Sequence, residues 1–220
     1  MAKLLWDQDT ERLYELGVEQ GAIYPLTNGA YGAGEAWNGL ISVTESPSGA
    51  EPTALYANDK KYGELTSAEE LGGTIECYTY PAGFNGCIGL KEIAPGVTVA
   101  QQTHTPFGLV YKTLIGNDTD NIKHGYKLHI IYGARAAVSE RANTSINESP
   151  EAMTMSWEFS TTPVAVEGYD PTSKLTFNST TADKEKLAAL EAILYGSESE
   201  EPRLPLPAEI ITLMGANVAG

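Results

Sequence analysis

Seven short runs of β-branched and aromatic residues, each closed by turn-forming residues, constrain this chain more than any other feature. They fall near 37–45, 74–80, 97–104, 107–115, 125–134, 153–162 and 173–178, and Pro81-Ala-Gly, Pro95-Gly, Gly116-Asn-Asp, His124-Gly and Pro163 lie between them. Such spacing specifies a mainly β protein, an antiparallel β-sandwich or partial barrel. At 220 residues and 42% hydrophobic, one core suffices to bury roughly 70% of the surface exposed by the unfolded chain. The economical division is an N-terminal arm at 1–36, a β-sandwich domain at 37–196, and a C-terminal linker and arm at 197–220.

Two runs reveal their faces. From Met153 to Ser160, Met153, Met155, Trp157 and Phe159 share one side while Thr154, Ser156, Glu158 and Ser160 share the other, the alternation of a sheet with one dry and one wet face. From Tyr126 to Tyr132, Tyr126, Leu128, Ile130 and Tyr132 line one face, with Lys127 and His129 opposite. One-sided sheets of this kind leave edges that neighbouring copies of the chain can pair.

The segment 46–62 is unusual. Leu40–Glu45 reads as a half-buried strand, which Ser46-Pro-Ser-Gly-Ala-Glu-Pro ends because each proline removes a ladder donor. A loop or short hairpin arm then presents Leu55, Tyr56 and Tyr62 among polar neighbours. Either it folds back over its own domain as a satellite cluster or it protrudes to dock on another subunit.

Two helices are expected. Ser67-Ala-Glu-Glu-Leu fits a capping box with Glu70 three positions after Ser67, stopped by Gly72-Gly73. Thr181 to Gly196 carries the stripe Leu187, Leu190, Ile193 and Leu194, with Thr181 as cap and Gly196 as stop. Beyond an acidic linker at 197–202, Leu204, Leu206, Ile210 and Ile211 are too apolar for a solvated tail, so this arm binds a subunit or runs back along the domain. Leu4, Leu5 and Trp6 form a second apolar arm at the other end. Apolar termini together with an apolar loop point to assembly.

Chemistry is hard to find. His104, His124 and His129 lack metalloprotease spacing, and no nucleophile elbow, Walker loop or dinucleotide glycine pattern is present. Gly29-Ala-Tyr-Gly-Ala-Gly has no preceding strand or following helix and reads as a flexible connector. Asn117-Asp-Thr-Asp-Asn lacks the glycine and the distant glutamate of a calcium loop and reads as a turn. Cys77 and Cys87 read as reduced, partly buried thiols. The pattern predicts a non-enzymatic protein with no cofactor. The N-terminus has no apolar core for a signal peptide, and no window approaches the ~20 apolar residues of a membrane span, so a cytosolic chain without membrane contact is expected. Asp and Glu outnumber Lys and Arg 29 to 14, for a formal charge of −15. That charge repels phosphate and argues against a nucleic-acid grip.

Taken in order, Trp37–Val43, Thr53–Ala57, Ser67–Gly72, Thr74–Pro81, Ala94–Val99, Phe107–Leu109, Gly116–Asp120, His124–Ala134 and Ser156–Val164 resemble the major tail, or tail tube, proteins of long-tailed bacteriophages. The resemblance spans roughly residues 6 to 180 and rests on the number and order of these pieces. It implies a tail-tube-like fold closing into hexameric rings that stack into a tube, with tail terminator and tail tip proteins as partners and phage DNA passing through without specific binding. It also implies a location in the virion tail after assembly in the host bacterial cytoplasm. Under it, subunit contacts fall on 1–24, 46–62 and 202–214, including Leu4, Leu5, Trp6, Leu55, Tyr56, Tyr62, Leu204, Leu206, Ile210 and Ile211, and Glu158 is the candidate lumen residue. Alternative readings are the tube of a phage-derived injection machine, such as a tailocin or secretion-system tube, and a cytosolic β-sandwich binding module or hydrolase.

Overall fold

The β-branched runs form strands because alternate side chains have a dry side to fill. The structure, a computed structural model, describes residues 3–4, 6–8, 12–146 and 152–215. In chain order come β1 (Tyr14–Thr27), β2 (Ala30–Tyr31), β3 (Glu35–Ala36), β4 (Leu40–Glu45), β5 (Ser48–Gly49), β6 (Pro52–Ala57), β7 (Lys60–Thr66), β8 (Glu69–Glu70) and β9 (Gly72–Cys77). The short helix α1 (Phe84–Cys87) follows, then β10 (Lys91–Ala94), β11 (Val97–Val99), β12 (Phe107–Asn117), β13 (Asn121–Ala136), β14 (Met155–Thr161), β15 (Val164–Val166), β16 (Tyr169–Thr172) and β17 (Lys174–Asn178). Helices α2 (Lys184–Tyr195) and α3 (Pro207–Met214) end the described chain. The protein is mainly β and antiparallel, as its strand runs require. Six of the seven runs become strands of the main sheet, whereas 97–104 yields only Val97–Val99 in a separate hairpin.

The main sheet runs β2-β1-β12-β13-β14-β9-β4, with β3 also on β1 and β17 also on β13. One bend organises it. Lys127–Ile131 of β13 pair with β17, but Ala134–Ala136 pair with β14. Between them Gly133 has φ +61°, and the register against β12 slips between Phe107 and Leu109. A bulge of this kind turns a strand sharply, so the β14-β9-β4 leaf folds over the β1-β12-β13-β17 leaf. Ile23, Ile75, Phe107, Leu109, Ile131, Trp157 and Phe159 meet between the leaves, and Phe84 of α1 closes that core against Trp37 and Trp157 at ring distances of 4.6 and 5.1 Å.

The back of the first leaf is dry as well. Tyr24, Val110, Leu128, Ile130 and Tyr132 pack under Leu187, Leu190 and Leu194 of α2 and Ile210 of α3. The Lys112 ammonium beneath α2 is paired with Glu191 at 3.0 Å and lies 4.3 Å from the Tyr126 ring centre, so no buried charge is left alone. The wet face expected on β13 is therefore absent: Ile131 opposite the helices is buried between the leaves, and His129 beside it is only 7% exposed.

Several expectations give way to this arrangement. The segment 1–36 is not an arm throughout, since β1 lies inside the main sheet with Ala22, Ile23 and Tyr24 buried. Gly17 and Gly21, which resemble strand breakers, flank bulges where β1 slips against β12. Residues 29–34 are no flexible connector: Asn28-Gly29 closes a tight turn, and the Tyr31 hydroxyl accepts the Gly133 N–H at 2.9 Å. The helix expected at Ser67–Leu71 is strand β8, held by cross-strand partners that outweigh a local capping pattern. Helix α2 is capped by Asp183, whose carboxylate accepts from the Glu185 and Lys186 amides at 3.0 and 3.1 Å, while Thr181 bonds back to Asn178. The C-terminal arm runs back along the domain, where Tyr132 donates to the Pro205 carbonyl at 2.9 Å.

Replacing Gly133 with valine places a Cβ 2.4 Å from the Thr162 carbonyl oxygen at positive φ. The backbone alone should then cost about 1–3 kcal/mol, read as a lower urea midpoint, with the clash adding to it.

Candidate assembly surfaces

Beyond Glu45 the chain leaves the sheet without losing register. Glu45–Gly73 in the sheet, Ser48–Glu70 and Gly49–Glu69 in the next pair, and Pro52–Thr66 through Leu55–Gly63 in the last keep one constant offset across three separate ladders. The segment from Ser46 to Leu71 is therefore a two-stranded ribbon growing out of β4 and β9. Its outer edges face solvent, so Pro47 and Pro52 break no ladder between strands. Asn58 and Asp59 close the tip with φ of +50° and +60°, the sign that a two-residue hairpin turn of matching twist demands. At ~3.3 Å per residue, the strand from Ser46 to Ala57 can span at most about 40 Å.

No satellite cluster forms. Leu55 is 39%, Tyr56 73% and Tyr62 80% exposed, and Leu65, a residue the sequence reading did not single out, is exposed beside Thr53. The hairpin pattern, with apolar positions on both strands, was the signal that could have included it.

The other proposed contact residues divide. Leu4 and Trp6 are exposed, and Leu5 lies outside the described residues. Leu204 and Ile210, expected at subunit contacts, are instead buried in the chain's own core under the first leaf, because the prolines turn the arm back onto α2. Ile211 is half-buried and Leu206 exposed on the outside of the same arm.

The second leaf keeps a wet outer face. Met155, Trp157 and Phe159 point inward while Ser156, Glu158 and Ser160 point out. Glu158 is exposed, opposite Thr74, and that strand's Glu76 accepts from the Ser42 hydroxyl at 3.1 Å. Together with Thr44 these make a face of small hydroxyls and two carboxylates, edged by Arg135 opposite Ser160. Helices α2 and α3 lie over the other leaf.

At the ribbon's root, the Glu45 carboxylate crosses to the first leaf. It accepts hydrogen bonds from the Tyr111 hydroxyl on β12 and, at 2.5 Å, from the Lys174 ammonium on β17. The His129 ring stacks on Tyr111 with centroids 4.7 Å apart. Its Nε2 is 2.9 Å from the Thr113 hydroxyl and its Nδ1 3.4 Å from that of Thr176. Lys127 pairs with Glu15 at the rim of the same hollow, about 500 Å³ in volume. Burial pushes Glu45 up, yet the Lys174 and Tyr111 hydrogen bonds outweigh it and hold the carboxyl below its usual range. Burial, reinforced by the Lys174 charge, lowers His129 to about 4.

The remaining polar candidates are structural. His104 Nδ1 lies 3.0 Å from the Ala136 carbonyl, and His124 sits 3.2 Å from Asp120. Asn117 folds its own turn by accepting the Thr119 and Asp120 amides. Cys77 and Cys87 are free and buried, and burial, with Glu35 nearby, pushes the Cys87 thiol up to about 12. Among the described residues no group of three or more His, Cys, Asp or Glu could hold a metal ion, and no helix is long and apolar enough to cross a membrane. The chain matches no family model and no curated protein.

The seam sets a pH dependence. The unfolded chain protonates its histidines near 6.5 while folded His129 waits until about 4, so the unfolded state binds more protons in that window. Stability should fall as pH drops from 6.5 to 4, by at most about 3 kcal/mol from this group. Glu45, lowered in the fold, extends the loss below that window. Urea midpoints at stepped pH check this, and His129→Phe should flatten the slope between 6.5 and 4.

Proposed function

We propose that this chain is a structural subunit that works by self-assembly, as the major tail tube protein of a long-tailed bacteriophage. In this reading, copies close into hexameric rings, the rings stack into a hollow tube, and phage DNA passes through without binding. The observation that carries the proposal is the ribbon. A projection of at most about 40 Å with Leu55, Tyr56, Tyr62 and Leu65 left in water contributes nothing to the chain's own core, and four large exposed apolar groups gathered on one arm mark an interaction site. A second copy is the partner that the ordered resemblance to tail tube proteins supplies.

The wet outer face of the second leaf supports the same reading. A wall bearing Glu76, Glu158, Ser42, Thr44, Thr74 and Ser156, on a chain of charge −15, offers DNA no counterion-release attraction. Glu158 thus remains the lumen candidate, joined by Glu76. No reaction is catalysed. Tail terminator and tail tip proteins would meet the two ends of the tube, and the site of action would be the virion tail after assembly in the bacterial cytoplasm.

Negative-stain electron microscopy and light scattering of the purified chain test the proposal. Rings or tubes are expected, and a monodisperse monomer across all salt and protein concentrations would overturn it. Replacing Leu55 and Tyr56 together with serine should leave monomer stability within about 0.5 kcal/mol, the usual range for exposed sites, while shifting polymerisation to higher protein concentration. If circular dichroism instead shows the double variant unfolded, these residues belong to the fold and the docking role fails.

A further inference from the structure

Glu45 occupies an unusual place: it is the last residue of β4 before the ribbon begins, and its carboxylate is bonded to the opposite leaf. The ribbon's other strand has a separate tie at its root, where the Thr161 hydroxyl donates to the Leu71 carbonyl at 2.7 Å. Only the Glu45 side can titrate. A two-stranded ribbon hinged at a pair of strand ends is stiff along its length but free to swing at the root unless something crosses from the body to hold it. The hydrogen bond that the Ser46 N–H donates to the Gly72 carbonyl at 2.8 Å lies within the ribbon and cannot set its angle.

We propose that Glu45, through Lys174 and Tyr111, is a latch that holds the ribbon at one angle to the two leaves, and that acid releases it. The groups facing the latch come from five elements. Tyr111 and Thr113 stand on β12, His129 and Lys127 on β13, Lys174 and Thr176 on β17, and Glu15 on β1. From the ribbon side, Glu69 of β8 lines a second hollow together with Glu45 and Lys174, closed by Pro47, Pro163 and Pro171. At neutral pH the carboxylate is the anion joining the two leaves here, and its Lys174 partner is mostly shielded from water. Protonating it removes the charge-assisted bond and leaves Lys174 unpaired. Protonating His129 adds a cation beside Lys174 and Lys127, offset by Glu45 while that carboxylate stays ionised and by Glu15 at the rim. Once Glu45 is neutral, the two changes act in the same direction, toward opening the seam. Lifting Glu45 from the hollow it shares with His129 lets in water, where the imidazole takes up its proton more readily, so opening is coupled to proton uptake. Release falls in acid, where His129 titrates at about 4 and Glu45, held below its usual range by Lys174 and Tyr111, takes up its proton.

The inference concerns ribbon orientation and does not depend on what the ribbon docks against. Spin labels at Lys60→Cys, near the tip, and Ala189→Cys, on the exposed side of α2, report the angle by pulsed electron–electron distance measurement in chain diluted with unlabelled protein. The native cysteines are buried and stay unlabelled in the folded chain. A single narrow distance distribution is expected at pH 7, and its loss at pH 4 with circular dichroism unchanged. Glu45→Gln and, separately, Lys174→Met should lose the narrow distribution already at pH 7. A wild-type distribution that stays narrow at pH 4, or a Glu45→Gln distribution identical to wild type at pH 7, would overturn the latch. So would global unfolding in every condition that broadens the distribution, because Glu45 would then be part of the core and not of a hinge.

Discussion

Strands β12 and β13 are dry on both faces, and that requirement drives the rest of the molecule. Along Leu128 to Tyr132 every side chain is buried whichever way it points. A sheet of this kind must be covered twice. The second leaf supplies one cover by folding over at Gly133, and helices α2 and α3 supply the other by docking Leu187, Leu190, Leu194 and Ile210. Burial of each such side chain is worth on the order of 1.5–3 kcal/mol, whereas a helix the length of α2 is marginal in isolation. The helices exist because the sheet needs them.

This double burial also explains where reading the sequence succeeds and where it stops. The alternation from Met155 to Ser160 is preserved in the structure because only one face of that strand meets the core, and the two-period pattern states as much. Tyr126 to Tyr132 shows the same alternation to the eye, yet His129 and Lys127 are drawn over a seam whose other walls come from β4, β12 and β17. Those walls are distant in sequence and leave no mark on the run itself. Strand β1 was hidden for a related reason: its glycines sit at bulges, and local propensity records a bulge as a break. The Ser67–Glu70 capping pattern misleads in the opposite direction, being locally sound but overruled by partners across the ribbon.

The candidate site was partly legible. Leu55, Tyr56 and Tyr62 stand out as apolar residues in a proline-bounded segment, and the structure leaves them uncovered. Leu204 and Ile210 look equally apolar, but their burial depends on a turn back onto α2 that only the three-dimensional path provides. The Glu45 crossing was invisible, since a glutamate at a strand end carries no signal of its partners. Hydrophobicity thus identifies which residues avoid water, and topology decides whether they do so within one chain or between two.

The constant offset kept by three successive ladders from Val43–Ile75 out to Leu55–Gly63 limits how such an arm can change. Removing one residue from a single strand would turn every later side chain on that strand to the other face. Removing one from each keeps the pairing but turns the tip over. Only the loss or gain of two residues in both strands together preserves the outward face of Tyr56 relative to the body. The reach of the ribbon is therefore quantised in steps of about 7 Å, and related chains that reach to different distances should differ here by insertions of four residues divided evenly about Asn58-Asp59.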